Sequence, residues 1–239
     1  AAVCAFETMA GAVDTVIATI QSGIPMARIE FVDAVSAAAF NAAAGTDWPD
    51  APHLMLEFHG TEAGVTEQMA RFAELAQDFG GQGFRWAEKP EDRTALWSMR
   101  HNAYRTMLQA NPGADPITTD ICVPISRLAE AVEETAAEIA ASGIPGPIVG
   151  HVGDGNFHAL LLPKAGDAAQ KEVALRLAAN MAERALRLGG TVSGEHGIGM
   201  GKTKYMRAEH GDGWDVMGAI KAAIDPEGLM NPGKLLPGN

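Results

Sequence analysis

Cysteine is almost missing from this chain. Its two residues, Cys4 and Cys122, sit far apart and form no CxxC pair, which fits a reduced compartment better than a disulfide scaffold. Basic residues are also scarce. Lys and Arg number 18 against 30 Asp and Glu, for a formal net charge of −12 and a pI near 4.9. That balance argues against a nucleic-acid-binding surface and against a basic membrane patch. No apolar run reaches the roughly 18 residues that span a bilayer, and no charged segment followed by an apolar one opens the chain. A cytoplasmic setting, or one peripheral to a membrane, is expected. An initiating Met is missing too: Ala1-Ala2-Val3-Cys4 runs straight into a strand-like stretch, as a fragment or a cleaved product would.

What is present suits a globular protein. The 239 residues are 47% hydrophobic and 20% charged, enough for one large domain or two small ones with a real core. Residues 1–6 read as a strand and Glu7 to Ser22 as a helix, with Met9, Val13, Val16, Ile17 and Ile20 at helical spacing. Ala27 to Val32 is strand-like, Val35 to Gly45 a small Ala-rich helix, and Leu54 to Phe58 an alternating strand. Thr61 opens a helix that ends at Gly80-Gly81, and Phe84 to Ala87 is a short strand. Residues 1–87 thus spell β-α-β-β-α-β, the split pattern of a ferredoxin-like unit.

A second copy follows over 117–193. Ile117 to Val123 is strand-like, Ser126 to Ala141 a helix with Ser126 as N-cap, 147–163 a hairpin, Asp167 to Leu188 a long helix, and Thr191-Val192-Ser193 extended. Between the copies Glu91 to Gln109 reads as one helix. After them come a helix from Asp212 to Ile224 and a tail rich in helix breakers. The expected fold class is α+β: duplicated ferredoxin-like units forming an antiparallel sheet with helices on one side. All of 1–239 is read as a single substrate- and metal-binding domain.

The stretch with most chemistry is Gly150-His151-Val152-Gly153-Asp154-Gly155-Asn156-Phe157-His158. Asp-Gly between apolar runs predicts a two-residue primed turn at 154–155. A hairpin centred there sets His151 opposite His158, with Cβ atoms roughly 5 Å apart. Two imidazoles at that separation can converge on one metal ion; the other reading makes them ordinary strand histidines beside a glycine turn. Gly194-Glu195-His196-Gly197 follows the last extended run. Glu195 is the natural third ligand, giving two nitrogens and one carboxylate with open positions for a hydroxy acid. His196, adjacent on an extended backbone, suits a general base; alternatively the pair is a polar loop. Arg100 can clamp a carboxylate in two parallel hydrogen bonds or face solvent, and Tyr104 lies one helical turn beyond it. His53, His59, His101 and His210 have no metal spacing and read as surface or structural. The glycines of 197–201 miss the phosphate-loop spacing, since position 196 is His, and read as keeping the backbone small near a ligand.

Three separated stretches carry a resemblance. The run 150–158, then Ser193-Gly194-Glu195-His196-Gly197-Ile198-Gly199, then Asp225-Pro226 to Asn231-Pro232-Gly233-Lys234 resemble the C-terminal half of FAD-linked 2-hydroxy-acid dehydrogenases. These are vanillyl-alcohol-oxidase-like flavoproteins, and the D-lactate dehydrogenase (cytochrome) type is most similar. Trp97-Ser98-Met99-Arg100-His101-Asn102-Ala103 and Thr119-Asp120-Ile121-Cys122-Val123-Pro124 are similar too. The resemblance implies that His151, His158 and Glu195 bind zinc or manganese, that Arg100 holds the substrate carboxylate, and that His196 takes the hydroxyl proton while hydride passes to FAD. It also implies that Asn231, in a tail returning to the flavin domain, helps bind the cofactor. That domain is N-terminal in the family and has no counterpart here, so the fragment alone is expected to lack redox activity. The implied partners are a small 2-hydroxy acid, the N-terminal FAD domain and an acceptor such as cytochrome c or a quinone, with a homodimer left open. Relatives acting on 2-hydroxyglutarate carry Asn two residues after the second histidine, where this chain has Leu160. D-lactate is therefore expected before a dicarboxylate, with glycolate or 2-hydroxyglutarate as alternatives. A stand-alone metal-binding or hydrolytic domain without flavin is the alternative of another class.

Overall fold

The computed structural model describes residues 1–87 and 89–234. The elements in chain order are β1 (Ala2–Phe6), α1 (Met9–Gln21), β2 (Arg28–Val32), α2 (Ala34–Ala44), β3 (His53–Glu57), α3 (Glu62–Asp78), β4 (Gly81–Trp86), α4 (Pro90–His101), α5 (Ala103–Ala110), β5 (Ile117–Thr118), β6 (Ile121–Cys122), α6 (Leu128–Ser142), β7 (Ile148–Gly150), β8 (Asn156–Leu161), α7 (Ala168–Arg187), α8 (Thr203–His210) and α9 (Gly213–Ile224). No helix among the described residues is long and apolar enough to cross a membrane.

Caps set several helix starts. Thr8 accepts a hydrogen bond from the Gly11 N–H, Asp33 from Ser36, Thr61 from Gly64 and Asp167 from Gln170, each satisfying a donor the helix cannot. Ser126 does not act this way. It sits inside a 3-10 turn, Ile125–Arg127, and α6 begins only at Leu128 with no side-chain cap; Pro124 shapes the entry instead. The stretch expected as one helix over 91–109 is two. At Asn102 the backbone leaves the helical region (φ −92°, ψ 4°), and its side-chain amide donates to the Ser98 carbonyl at 2.9 Å, competing with the helix ladder.

The sheet is one antiparallel array in the order β4-β1-β3-β2-β7-β8-β5, with β6 also on β8. The first four strands have the ferredoxin-like order. The second unit repeats it in mirror sequence: β7, β8, then β5 and β6, then Thr191, which makes a single bridge to Cys122. The two units join at their second strands, where Phe31 faces Gly150 and Val32 faces Val149. The four repeat helices α1, α3, α6 and α7 pack on one face around Phe6, Phe31, Phe72, Leu128, Phe157 and Met181. The expected one-sided cover is extended by α2, α4 and α5. These bury Phe40, Trp97 and Met107 against Val3, Val32, Met55 and Leu160 on the opposite face. A sheet apolar on both faces must be covered on both.

The hairpin differs from expectation. Val149, not His151, faces His158. Residues 152–154 form a 3-10 turn, and Gly155 leaves it at φ +79°. A Cβ at Gly155 would lie 2.1 Å from the Val123 carbonyl oxygen, so this glycine serves a close approach to the segment after β6. The register is displaced by two residues, and the side-chain period of a strand is also two. His151 therefore stays on the face of Val149 and His158.

Candidate active site

Five segments meet where the two units join. β2 supplies Glu30, the end of β7 supplies His151, and β8 supplies His158. The β5–β6 connection supplies Asp120, and the loop after Thr191 supplies Glu195 and His196. α4 and α5 add Arg100 and Tyr104. All but Glu30 line a cavity of about 560 Å³ that also has an apolar wall including Met107, Val149 and Leu160.

His151, His158 and Glu195 each present one atom within 4.8 Å of the other two. His158 Nδ1 donates to the Thr119 carbonyl at 3.0 Å, an oxygen that can only accept. His151 Nδ1 lies 2.7 Å from Glu30 Oε1 and donates to it. With both Nδ1 protons so placed, both Nε2 atoms turn to Glu195 Oε1, at 3.0 Å from His158 and 3.6 Å from His151. The imidazole rings lie 5.9 Å apart, nearly perpendicular. The hydrogen bond to Glu30 raises the His151 pKa against the opposing effect of burial. Burial lowers that of His158, outweighing its hydrogen bond to Thr119. A neutral His158 with its Nδ1 proton on Thr119 aims a lone pair at a carboxylate oxygen. Two acceptors at that distance repel, and a cation between them relieves the repulsion.

The loop that carries Glu195 and His196 is clasped by Asp120. Its carboxylate accepts from the backbone N–H of Glu195 and His196, from Asn156 Nδ2 and from Lys202 Nζ, at 2.9–3.2 Å. Burial pushes the Asp120 pKa up, but these donors outweigh it and hold the pKa down at about 2. The clasp needs glycine at 194: a Cβ there would lie 1.9 Å from Asn156 Nδ2 and 2.5 Å from Asp120 Oδ1. His196 is exposed, with its Nε2 3.3 Å from Glu195 Oε1. Lys202 closes on Asp120, so the glycine run before it is a loop anchored by an ion pair.

Arg100 sits in the last turn of α4, half-buried, its Nε donating to Glu30 Oε2 at 3.1 Å. Nη2 lies 3.0 Å from the same oxygen but is buried without a hydrogen bond of acceptable geometry. Tyr104 is 49% exposed and reaches the cavity rim from α5. Asn231 does not join them. It is exposed, with φ +48°, in a tail folded back on Asp225, which accepts from the Leu229 and Met230 N–H groups. His53 is structural, buried against Trp48.

Four residues that hold the site carried no assignment from the sequence: Glu30, Asp120, Asn156 and Lys202. Glu30 had a readable signal, a lone acid in the apolar strand Arg28-Ile29-Glu30-Phe31-Val32. The glycines of 150–158 serve close packing within the protein. A Cβ at Gly150 would meet Phe157, and one at Gly153 would meet Ile29.

An open antiparallel sheet of two ferredoxin-like units carries the His/His/Glu cluster beside the half-buried Arg100. Residues 1–235 match the family described as FAD linked oxidases, C-terminal domain, and the chain belongs to that family. It is 43% identical over 236 residues to a probable mitochondrial D-lactate dehydrogenase of Danio rerio, covering 98% of this chain and 48% of that protein. It is 41% identical over 237 residues to the mitochondrial D-lactate dehydrogenase (cytochrome) of Arabidopsis thaliana, covering 99% and 42%. The chain thus spans about half the length of the curated relatives it matches. A solved 4-ethylphenol oxidase from Gulosibacter chungangensis has the same fold, with a TM-score of 0.72 at 16% identity over 98% of this chain and 53% of that one.

Proposed function

We propose that this chain is the substrate- and cation-binding half of an FAD-dependent D-2-hydroxy-acid dehydrogenase acting on D-lactate. Family membership supports the flavin chemistry, and the names of the relatives support the substrate and an electron acceptor of the cytochrome type. The single observation that carries the site is the convergence of His151 Nε2, His158 Nε2 and a Glu195 oxygen, each imidazole fixed from behind at Nδ1.

Two neutral imidazoles and one carboxylate suit zinc, and manganese accepts the same set. When bound, the cation supplies Lewis acidity at the hydroxyl and FAD supplies the hydride acceptor. The residues of the chain do the rest. His151, His158 and Glu195 hold the cation. Arg100, held by Glu30 along its Nε–Nη2 side, offers the remaining guanidinium edge to the substrate carboxylate. His196, exposed at the cavity mouth, accepts the hydroxyl proton. Tyr104 borders the substrate, and Leu160 with Met107 and Val149 presents an apolar wall to its short side chain. Holding the acid at two points orients its Cα, which is where positioning contributes most.

The test uses the complete enzyme. His151→Ala and Glu195→Ala each remove bound metal and D-lactate oxidation together, read by metal analysis and dye reduction. Full turnover in a metal-free preparation refutes the reading. In a panel of D-lactate, glycolate and 2-hydroxyglutarate, a preference for the dicarboxylate refutes the role given to Leu160.

A further inference from the structure

Glu30 stands mid-strand on β2, which is paired on both edges, and is 6% exposed. Its neighbours Ile29, Phe31 and Val32 are apolar and buried. A carboxylate at such a place is disfavoured unless it is paired. Packing does not ask for it, and its two oxygens serve two different groups. Oε1 takes the proton of His151 Nδ1 at 2.7 Å. Oε2 takes that of Arg100 Nε at 3.1 Å.

We infer that Glu30 is a positioning residue that ties the cation site to the carboxylate site: one buried carboxylate orients and strengthens His151 as a ligand while it holds Arg100 in place. The inference rests on the cation and substrate roles proposed above for His151 and Arg100. A neutral imidazole has one N–H. Glu30 keeps it on Nδ1, so the lone pair stays on Nε2, facing Glu195. A carboxylate behind an imidazole also makes it a stronger ligand. Arg100 draws on the same carboxylate and so works against this. The two neighbours of Glu30 therefore affect cation binding with opposite sign.

That opposition is the test, with zinc alone as the probe and the whole chain titrated by calorimetry. In Glu30→Gln one of the two acceptor oxygens becomes an NH2 donor that opposes either the His151 Nδ1–H or the Arg100 Nε–H, and the charge behind His151 is gone. Zinc binding weakens by roughly 10–100-fold. In Arg100→Met the carboxylate is left wholly to His151, and zinc binds about threefold tighter. A residue that merely supported the fold would weaken zinc in both variants. Unchanged affinity in Glu30→Gln, or weaker or unchanged affinity in Arg100→Met, overturns the inference. Should Glu30→Gln fail to fold, the sign in Arg100→Met decides alone. A wild-type chain that takes up no zinc refutes instead the cation reading on which the inference rests, and is recognised before any variant is compared.

Discussion

The two ferredoxin-like units share a strand order and differ in regularity. In the first, β1, β2 and β3 have five residues each and β4 has six. In the second, the first strand is split into two pieces of two residues, β7 has three, and the fourth strand is one bridge at Thr191. The irregular unit holds Asp120, His151 and His158, and the loop that follows it holds Glu195 and His196, while the regular unit contributes Glu30. Backbone that leaves the ladder early frees N–H groups and turns for other work, as in the Asp120 clasp on Glu195 and His196. The first unit is built for burial and the second for placement, and the two can be perturbed separately.

The largest expected effect breaks the first unit. Phe72 is fully buried in an aromatic cluster with Phe58 and Phe84, and Phe72→Ala should cost about 3–5 kcal/mol in urea unfolding. His151→Ala, at a half-buried rim, should cost no more than about 1 kcal/mol by the same measurement. A reversed order would end the contrast between the units. Gly194→Ala sharpens it from the other side. The added methyl collides with Asn156 and Asp120, so the clasp opens and Glu195 moves. On the proposed function, D-lactate turnover of the complete enzyme should fall by roughly 100-fold with little change in the unfolding midpoint.

The smallest expected effect is a pH slope in the first unit. His53 is 2% exposed and stacked on Trp48 at 4.8 Å, and burial holds its pKa below the ordinary histidine value, against the hydrogen bond to Ala51. The unfolded chain then binds more protons than the folded one. The stability this neutral histidine supports is present above about pH 6.5 and is lost as pH falls towards the lowered folded value. The slope is at most about 1.4 kcal/mol per pH unit. His53→Gln should flatten it in denaturant titrations between pH 5 and pH 7; an unchanged slope places the acid sensitivity elsewhere.

Most of the fold was legible because periodicity and punctuation are local. Thr61 before a helical run, Gly80-Gly81 after it and the alternation from Leu54 each state their role within a few residues. The errors lie where two local signals compete. Asp154-Gly155 has the composition of a tight turn, yet Gly155 is needed against Val123, and the turn forms one residue earlier. Asn102 interrupts a helix that apolar spacing alone would continue. The convergence of His151, His158 and Glu195 was legible because a two-residue shift preserves the strand face. Glu30 and Asp120 were not assigned, since their partners lie 121 positions away at His151 and 75 at Glu195.

The sequence by itself determined the two β-α-β-β-α-β units and singled out His151, His158 and Glu195, because each depends on side-chain period or on chemistry carried by single residues. Only the tertiary structure decided that the units join at β2 and β7, which brings Glu30 of one unit behind His151 of the other, and that Asp120 holds the Glu195 loop. Those contacts come from packing a sheet that is apolar on both faces, and no local pattern of residues encodes which distant polar groups such packing will oppose.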